Sequence, residues 1–560
     1  TPAYSDLIEM LRYNAEITPD TTIFTYLIDG EAEEDSLTFK ELDEQVRLIA
    51  SRLQNTPGSG GRVLLLYPPG LDYIRGLFAC FYAGSVAVPT YPPDISRLER
   101  TMPRFLSIVR DAQPALALTT SPILMMAQTL LRDYAELDGI EWIATDDVIK
   151  QDSADLVEWK KPELGAGSLA FLQYTSGSTA EPRGVMLSHG NLLHNLDAIC
   201  CAFEIQSGDR AVFWLPFYHD MGLIGGILAP VFCGAECLLL SPLDFLQRPL
   251  RWLNAISRSK ATISGGPNFA YDLTARKVTP QQKKELDLSS WKIAFNGAEP
   301  VRADTLARFA ETFRDCGFER EAFYPAYGLA EATVFVTGGE RSAYPLVKSF
   351  DQENLKIGRV VPDKGEPDSG GISQDINYQM MVSAGTPRRD IQVHIVDPEK
   401  AEIFGNPADV DTHVGEIWVG GRSVAGGYWN RDQESDRVFK AKLREYPGQQ
   451  FMRTGDLGFK YRGELFIAGR LKDLIILDGF NHYPQDIEIT VERSHPALRP
   501  GCSAAFSIDV KEREQLVVVA EVAKPKYFAE LENEGKVKLT EEMITRSIVK
   551  AVSRQHDLRA

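Results

Sequence analysis

The chain has 560 residues, 44% hydrophobic and 25% charged, a globular balance on a length that exceeds one core and predicts at least two domains. Its formal net charge of −18 lacks the basic footprint of a nucleic-acid binder. Seven cysteines show neither disulfide nor metal-ligand spacing and read as reduced thiols of a cytosolic protein; Cys233 and Cys237 are the closest non-adjacent pair along the chain.

In chain order, apolar β-type runs are predicted at 62–67, 85–89, 115–119, 141–145, 169–172, 211–215, 237–240 and 292–296. Helical patterns lie between several of them, including 39–53 and 246–257. The alternation predicts parallel sheets with helices on their faces. The first residues do not read as a secretory signal. The most membrane-like run, 223–240, carries Pro230, Glu236 and glycines and is read as core, not as a span. Beyond residue 382, short strands and glycine turns at 392–396, 415–419, 451–453 and 464–467 predict a smaller β-rich subdomain. Residues 470–473 then open a last α/β portion, and no internal repeat or low-complexity tract occurs.

The run 169–172 leads into Tyr174-Thr-Ser-Gly-Ser-Thr-Ala-Glu-Pro-Arg-Gly-Val185. Here Thr175, Ser176, Ser178 and Thr179 add hydroxyls to the backbone N–H groups, and Gly177 and Gly184 permit unusual backbone geometry. Such a loop at the end of a strand is suited to cradle phosphate oxygens. It lacks the Gly-Lys-Ser/Thr ending of a Walker loop, and the plainer alternative is an ordinary polar loop.

That string resembles the phosphate loop of the adenylate-forming superfamily, with Ala180 in place of a glycine and Arg183 in place of the lysine. Further resemblances follow in the family's order. They are Ser36-Leu-Thr-Phe-Lys-Glu-Leu42, Leu215-Pro-Phe-Tyr-His-Asp-Met-Gly222, Asn296-Gly-Ala-Glu-Pro300 and Tyr324-Pro-Ala-Tyr-Gly-Leu-Ala-Glu331. Gly415-Glu-Ile-Trp-Val419, Arg453-Thr-Gly-Asp-Leu-Gly458 and Gly469-Arg-Leu-Lys-Asp473 complete the set. The family joins a carboxylate to the α-phosphate of ATP and expels pyrophosphate, a reaction between anions whose barrier is largely electrostatic.

The resemblance implies a large N-terminal domain over 1–469, made of two doubly wound α/β subdomains and a small β-barrel at about 386–469. A small mobile α/β C-terminal domain, 470–560, would follow. It implies ATP and Mg²⁺ as cofactors, with Glu331 as the metal carboxylate and Arg183 as the phosphate cation. It places the nucleotide on Thr175, Ser176, Gly177, Ser178, Thr179, Asn296, Gly297, Ala298 and Glu299, on Ala326, Tyr327, Gly328, Leu329 and Ala330, and on Asp456 and Arg470. In this set Tyr327 stacks on adenine, Asp456 takes the ribose diol, and Ala330 lacks a hydroxyl that the family carries. His219 lies beside the reacting carboxylate, and Lys472 marks a hinge about which the C-terminal domain turns between half-reactions. Read without the motifs, Glu331 is a solvated glutamate, Asp456 a turn residue, Tyr327 a core tyrosine and His219 a structural histidine.

Three features resemble the fatty acyl-AMP ligases within the superfamily. Ile263-Ser-Gly-Gly-Pro-Asn-Phe-Ala-Tyr271 resembles their acyl-pocket segment, which implies acyl contacts from Ser264, Gly265, Gly266, Asn268 and Phe269, with Trp214, Asp220 and Met221. Its small residues leave volume for an alkyl chain. Asp478-Gly-Phe-Asn-His-Tyr-Pro-Gln-Asp-Ile-Glu488 resembles a branch signature. A long segment at about 342–379 corresponds to an insertion that, by analogy, docks on the C-terminal domain and directs the acyl group to an acyl carrier protein instead of CoA. Within it, 355–361 is predicted as a strand and 362–371 as loop, and the plainer alternative is a long surface loop. Deleting 351–373 is then expected to raise CoA thioester formation.

The family's C-terminal Pro-x-Thr-Ser-Gly-Lys-like segment has no counterpart before Gln555-His-Asp-Leu-Arg-Ala560, so the domain reads as cut short. A chain without that lysine is expected to bind ATP and acyl-adenylate better than it makes the adenylate. The sequence thus points to a fatty acyl-AMP ligase acting on a fatty acid and an acyl carrier protein, with neither nucleic acid nor an integral membrane span. An acyl-CoA synthetase and a non-catalytic acyl or nucleotide-binding module are the alternatives.

Overall fold

The computed structural model describes residues 4–93, 97–130, 134–151, 157–175, 182–206, 208–364, 377–404, 413–477, 480–510, 513–523, 540–556 and 558. The chain divides into two compact units, the first over 1–345, 384–393 and 419–453, the second over 346–383, 394–418 and 454–560.

The first unit is built on two sheets. One has six strands in the order Glu141–Ala144, Leu116–Thr119, Arg62–Leu65, Val86–Pro89, Leu169–Thr175, Arg183–Ser188, parallel except for the last pair. The other has nine, and its centre runs Phe323–Tyr327, Ile293–Asn296, Ile263–Gly266, Arg210–Phe213, Glu236–Leu239, Thr22–Leu27, all parallel. Central strands such as Ile293–Asn296 are buried at every residue, which is why they read as continuous apolar runs and not as alternating ones. Helix starts are written locally. Thr38 and Glu41 close a capping box on Phe39–Gln54, and Ser188 with Asn191 does the same for His189–Ala202.

Residues expected at 223–240 as core are core. The π-helix Met221–Leu228 passes into the helix Ala229–Cys233, and Leu223, Ile224, Ile227 and Leu228 are fully buried. Among the described residues no helix is long and apolar enough to cross a membrane. All seven cysteines are free thiols, and the pair that meets in space is Cys200 with Cys233, Sγ to Sγ 2.8 Å.

The second unit carries two apolar clusters. In one, Ile475, Ile487, Val491, Leu498, Leu516, Ile544 and Val552 join the hairpin Leu498–Val510/Arg513–Val522 to helices Pro484–Ser494 and Glu541–His556. In the other, Phe350, Leu355, Val360, Met381, Phe459 and Phe466 pack together. The β-rich portion contains, among the described residues, a four-stranded sheet in the order Gln392–Val396, Gly415–Gly420, Met452–Tyr461, Glu464–Arg470. One expectation is corrected here. Residues 355–361 do not form a strand. Asp351 accepts a hydrogen bond from the Asn354 N–H (2.8 Å) and starts a helical turn, Gln352–Lys356, that buries Leu355 and Lys356.

Candidate active site

In the nine-stranded sheet, adjacent parallel strands end at Tyr327, Asn296, Gly266 and Phe213, and the register pairs Asn296 with Pro325 and Gly266 with Asn296. The expected adenine turn, the Tyr-Gly motif, the acyl segment and Trp214 therefore leave the sheet along one edge. Ligands of open α/β sheets bind at such carboxyl ends. Asn296 is fully buried, and neither its side-chain oxygen nor its nitrogen has a hydrogen-bond partner. A Cβ on Gly297 would lie 2.9 Å from the Ala326 carbonyl oxygen, so the two motifs touch backbone to backbone. Ala298 holds φ at +66°, a left-handed conformation that a β-carbon disfavours and that turns the peptide groups on either side.

Glu331 sits in the single 3-10 turn Ala330–Ala332. That turn is over-determined. A Cβ at Gly328 would collide with the Val334 carbonyl oxygen. The Thr333 hydroxyl donates to Ser423 O (2.7 Å), and Asn195 donates to Phe335 O (2.8 Å) while accepting from the Phe335 N–H (3.1 Å). The Glu331 Oε1 accepts from the Tyr428 hydroxyl at 2.8 Å. Arg183, on the strand paired with Thr175, ion-pairs with Glu434 Oε1 at 2.9 Å and lies over the Tyr428 ring, 5.4 Å from its centroid. Burial, then Glu331, pushes the Tyr428 hydroxyl pKa far up, so it remains a donor at any working pH. Thr175 ends its strand as expected; Ser176, Gly177, Ser178 and Thr179 lie outside the described residues.

His219 occupies the turn between Phe213 and the π-helix. Gly222 makes that turn possible, since a Cβ there would strike the Pro216 carbonyl. The Tyr73 hydroxyl donates to Phe217 O (2.9 Å) and Gln173 donates to Tyr218 O (2.8 Å). The His219 imidazole is half exposed, with Nδ1 2.7 Å from Asp220 Oδ1. Desolvation opposes its charge, but the Asp220 carboxylate outweighs that and raises the pKa above the usual 6.5. Asp220 also accepts from the Met221 N–H at 2.6 Å, at the start of the helix.

In the acyl segment the small residues admit aromatic rings. A Cβ at Gly266 would lie 2.6 Å from the Trp214 ring, and one at Gly265 would strike Phe295. Trp214 stacks on Phe245 with centroids 3.9 Å apart and meets Phe269 edge-on. The room expected there for an alkyl chain is thus partly taken by Trp214 and Phe295. Phe269 is 42% exposed and is the apolar side chain of this segment that faces out. Ser264 is fully buried, accepting from Trp252 Nε1 (2.8 Å) and donating to Val212 O (2.7 Å). Asn268 accepts from the Arg302 N–H (3.1 Å) and donates to Thr305 (3.3 Å). Both residues hold the framework together. The Phe269 N–H donates to Glu299 Oε1 at 2.5 Å, which joins the acyl segment to the adenine turn.

In the second unit, Asp456 faces Arg470 across paired strands, Oδ1 to Nε 3.4 Å. The Asp456 backbone is fixed by Thr454, whose hydroxyl accepts from the Asp456 N–H (3.0 Å) and donates to Ile417 O (2.7 Å). Gly455, at φ +71°, turns its N–H to buried Glu416 (3.2 Å). Lys472 lies in the single turn Leu471–Asp473 between two strands. The helical turn Gln352–Lys356 packs on strand Phe480–His482, and Gln379 Nε2 donates to Asp486 Oδ1 at 2.7 Å.

Residues 11–429 match the AMP-binding enzyme family, and residues 472–558 match the AMP domain of the Disco-interacting protein 2-like family. The chain is 43% identical over 558 residues to JamA of Moorena producens, a medium-chain-fatty-acid–[acyl-carrier-protein] ligase, covering 100% of this chain and 90% of that one. The chain belongs to the AMP-binding, adenylate-forming enzymes, in their fatty acid–AMP ligase branch. FadD26 of Mycobacterium marinum, a long-chain-fatty-acid–AMP ligase, is 35% identical over 98% of this chain and 91% of its own. The fatty acyl-adenylate ligase of L. pneumophila, solved with acyl adenylate and pyrophosphate, superposes with a TM-score of 0.76 at 37% identity, covering 99% of this chain and 91% of that one.

The residues present suit a ligase's nucleotide and metal. Glu331 offers a carboxylate oxygen of the kind Mg²⁺ takes alongside phosphates, and the unpartnered Asn296 amide lies beside the adenine turn. Three residues of this ligase escaped the motifs. Tyr428 and Glu434 gather Arg183 and Glu331, and Gln173 ties the phosphate strand to the His219 turn. Only Gln173 carries a sequence signal, being a lone polar residue inside an apolar strand.

Proposed function

We propose that this ligase activates a medium- or long-chain fatty acid with ATP and passes the acyl group to the phosphopantetheine thiol of an acyl carrier protein. A carboxylate oxygen bonds to the α-phosphorus, pyrophosphate leaves, and the thiol then displaces AMP from the acyl carbon. The observation that carries this reading is the 2.5 Å hydrogen bond from the Phe269 N–H to Glu299, which ties the residue bearing an exposed apolar side chain to the proposed adenine turn. The names of JamA and FadD26 support the substrate class and the carrier.

In this reading Glu331 would hold Mg²⁺, which would supply positive charge for the phosphate oxygens. Arg183 and the phosphate loop from Thr175 to Thr179 bind phosphate oxygens. His219, paired with Asp220, orients the fatty carboxylate. The peptide groups around Ala298 and the ring of Tyr327 receive adenine, and Asp456 with Arg470 receives the ribose. Residues 470–560 act as the C-terminal domain, with Lys472 at its pivot, and 342–379 as the insertion that restricts transfer to a carrier. The Gln379–Asp486 hydrogen bond and the packing of Gln352–Lys356 on Phe480–His482 support that docking role. We place the reaction in the cytosol, where ATP and carrier proteins meet.

Fatty acid-dependent exchange of labelled pyrophosphate into ATP tests the first step. Exchange driven by medium- or long-chain acids and not by amino acids is expected; exchange that ignores fatty acids would overturn the proposal.

A further inference from the structure

We propose that Tyr428 is a positioning residue of adenylation, its hydroxyl fixing the Glu331 carboxylate and its ring fixing the Arg183 guanidinium. The inference rests on the roles proposed above for those two charged groups and assigns the side chain that sets them. Tyr428 is 3% exposed and touches both. Its hydroxyl donates to Glu331 Oε1 at 2.8 Å, and the guanidinium carbon of Arg183 lies 5.4 Å from its ring centroid.

The tyrosine is itself held on every side. Its N–H donates to Ser435 Oγ at 2.8 Å, it bridges to Val185 beside Arg183, and its ring meets Phe439 edge-on at 5.0 Å. Three residues earlier, the Ala425 N–H donates to the Glu331 carbonyl at 2.9 Å, so the same segment fixes both backbone and carboxylate of Glu331. Six residues after the tyrosine, Glu434 ion-pairs with Arg183 at 2.9 Å.

The chemistry of the pair requires such an arrangement. A metal-binding carboxylate and a phosphate-binding cation must be close, yet each must keep the orientation its ligand needs. A buried phenol meets both demands. It donates a short, charge-assisted bond to one carboxylate oxygen, and it offers a π-face to the cation without neutralising it. Partners of this kind orient metal ligands, and their loss weakens metal affinity more than it alters the fold.

The test is Tyr428→Phe, which keeps the ring and its packing and removes only the hydroxyl. ATP binding is titrated calorimetrically across Mg²⁺ concentrations, and binding of an acyl-sulfamoyl-adenosine, an acyl-adenylate mimic with no pyrophosphate, is measured alongside. The Mg²⁺ concentration that half-saturates ATP binding should rise roughly tenfold or more, the effect of losing a hydrogen bond to a charged group. Affinity for the mimic and the melting temperature should stay near wild type. Glu331→Gln should shift the Mg²⁺ dependence in the same direction, and the double variant should add little to it. An unchanged Mg²⁺ dependence in Tyr428→Phe, or an equal loss of affinity for the mimic, would overturn the positioning role while leaving the proposed function standing. A wild-type protein whose ATP binding ignores Mg²⁺ would overturn both.

Discussion

Gln173 donates a 2.8 Å hydrogen bond from Nε2 to the carbonyl oxygen of Tyr218, so the strand that enters the phosphate loop and the turn that carries His219 are held by one side chain. Gln173 is buried, and its Oε1 has no partner. Gln173→Leu should leave the strand packed while releasing the turn. Expected is a fall in kcat of pyrophosphate exchange by roughly tenfold, with the KM for ATP little changed, as for a lost orienting contact. Gln173→Glu should be worse, because a buried carboxylate would face the Tyr218 carbonyl. Equal kcat in all three proteins would remove Gln173 from the account.

Gly328 permits the backbone approach on which the Glu331 turn depends. Any β-carbon there meets the Val334 carbonyl, which is backbone and not the far end of a flexible side chain. Gly328→Ala should destabilise the protein by about 2–4 kcal/mol in urea unfolding, in the range of severe strain or overpacking. A change below about 0.5 kcal/mol, the size of an ordinary surface substitution, would contradict the described turn.

Two buried histidines give the protein an acid weakness. His189 accepts from the Leu7 N–H at Nδ1 (3.2 Å) and must be neutral to do so; burial lowers its pKa from 6.5 to about 4. His556, 2.7 Å from Thr490 Oγ1, is lowered by burial to about 4 as well. The unfolded chain takes these protons first, so stability should fall as pH drops from about 6.5 towards 4. His219 works with the opposite sign. Its raised pKa adds stability below 6.5 that is lost as pH rises through the folded value. Urea midpoints at pH 7.5 and 5 check the balance. A lower midpoint at pH 5 is expected, and His189→Gln should flatten the slope. A midpoint that rises on acidification would place the dominant titration at His219.

The insertion offers a way to separate carrier and CoA chemistry. Removing 351–373 would take away Leu355 and Val360, which lie in the core with Phe350, Phe459 and Phe466. Gln379→Ala is the milder change, since it cuts the 2.7 Å bond to Asp486 and leaves that core intact. It should raise acyl-CoA formation with CoA present, without altering pyrophosphate exchange. No gain in acyl-CoA would count against the docking role.

The strand ending at Asn296 was legible because its short apolar run is local and buried at every residue. The strands ending at Gly266 and Tyr327 were not predicted as strands, since Ile263-Ser-Gly-Gly266 and Phe323-Tyr-Pro-Ala-Tyr327 carry glycine or proline in place of a continuous apolar run. Tyr428 and Glu434 were not legible, because Tyr428 lies 97 residues from Glu331 and the pairing exists only in the fold. Ser264 and Asn268 read as pocket residues by family resemblance, yet a motif does not reveal the hydrogen bonds with which they brace Trp252, Val212 and the Arg302–Thr305 turn. Residues 355–361 looked like a strand from their apolar content, and the Asp351 cap decided for a helical turn.

The central claim is acyl-adenylate formation for a carrier and not for CoA. The most direct measurement incubates the protein with ATP, Mg²⁺ and a medium-chain fatty acid, with and without CoA, and identifies the products by mass spectrometry. Acyl-AMP in both reactions, consumed when a phosphopantetheinylated carrier protein is added, is the predicted result. Acyl-CoA as the product whenever CoA is present would contradict the account and make the protein an acyl-CoA synthetase.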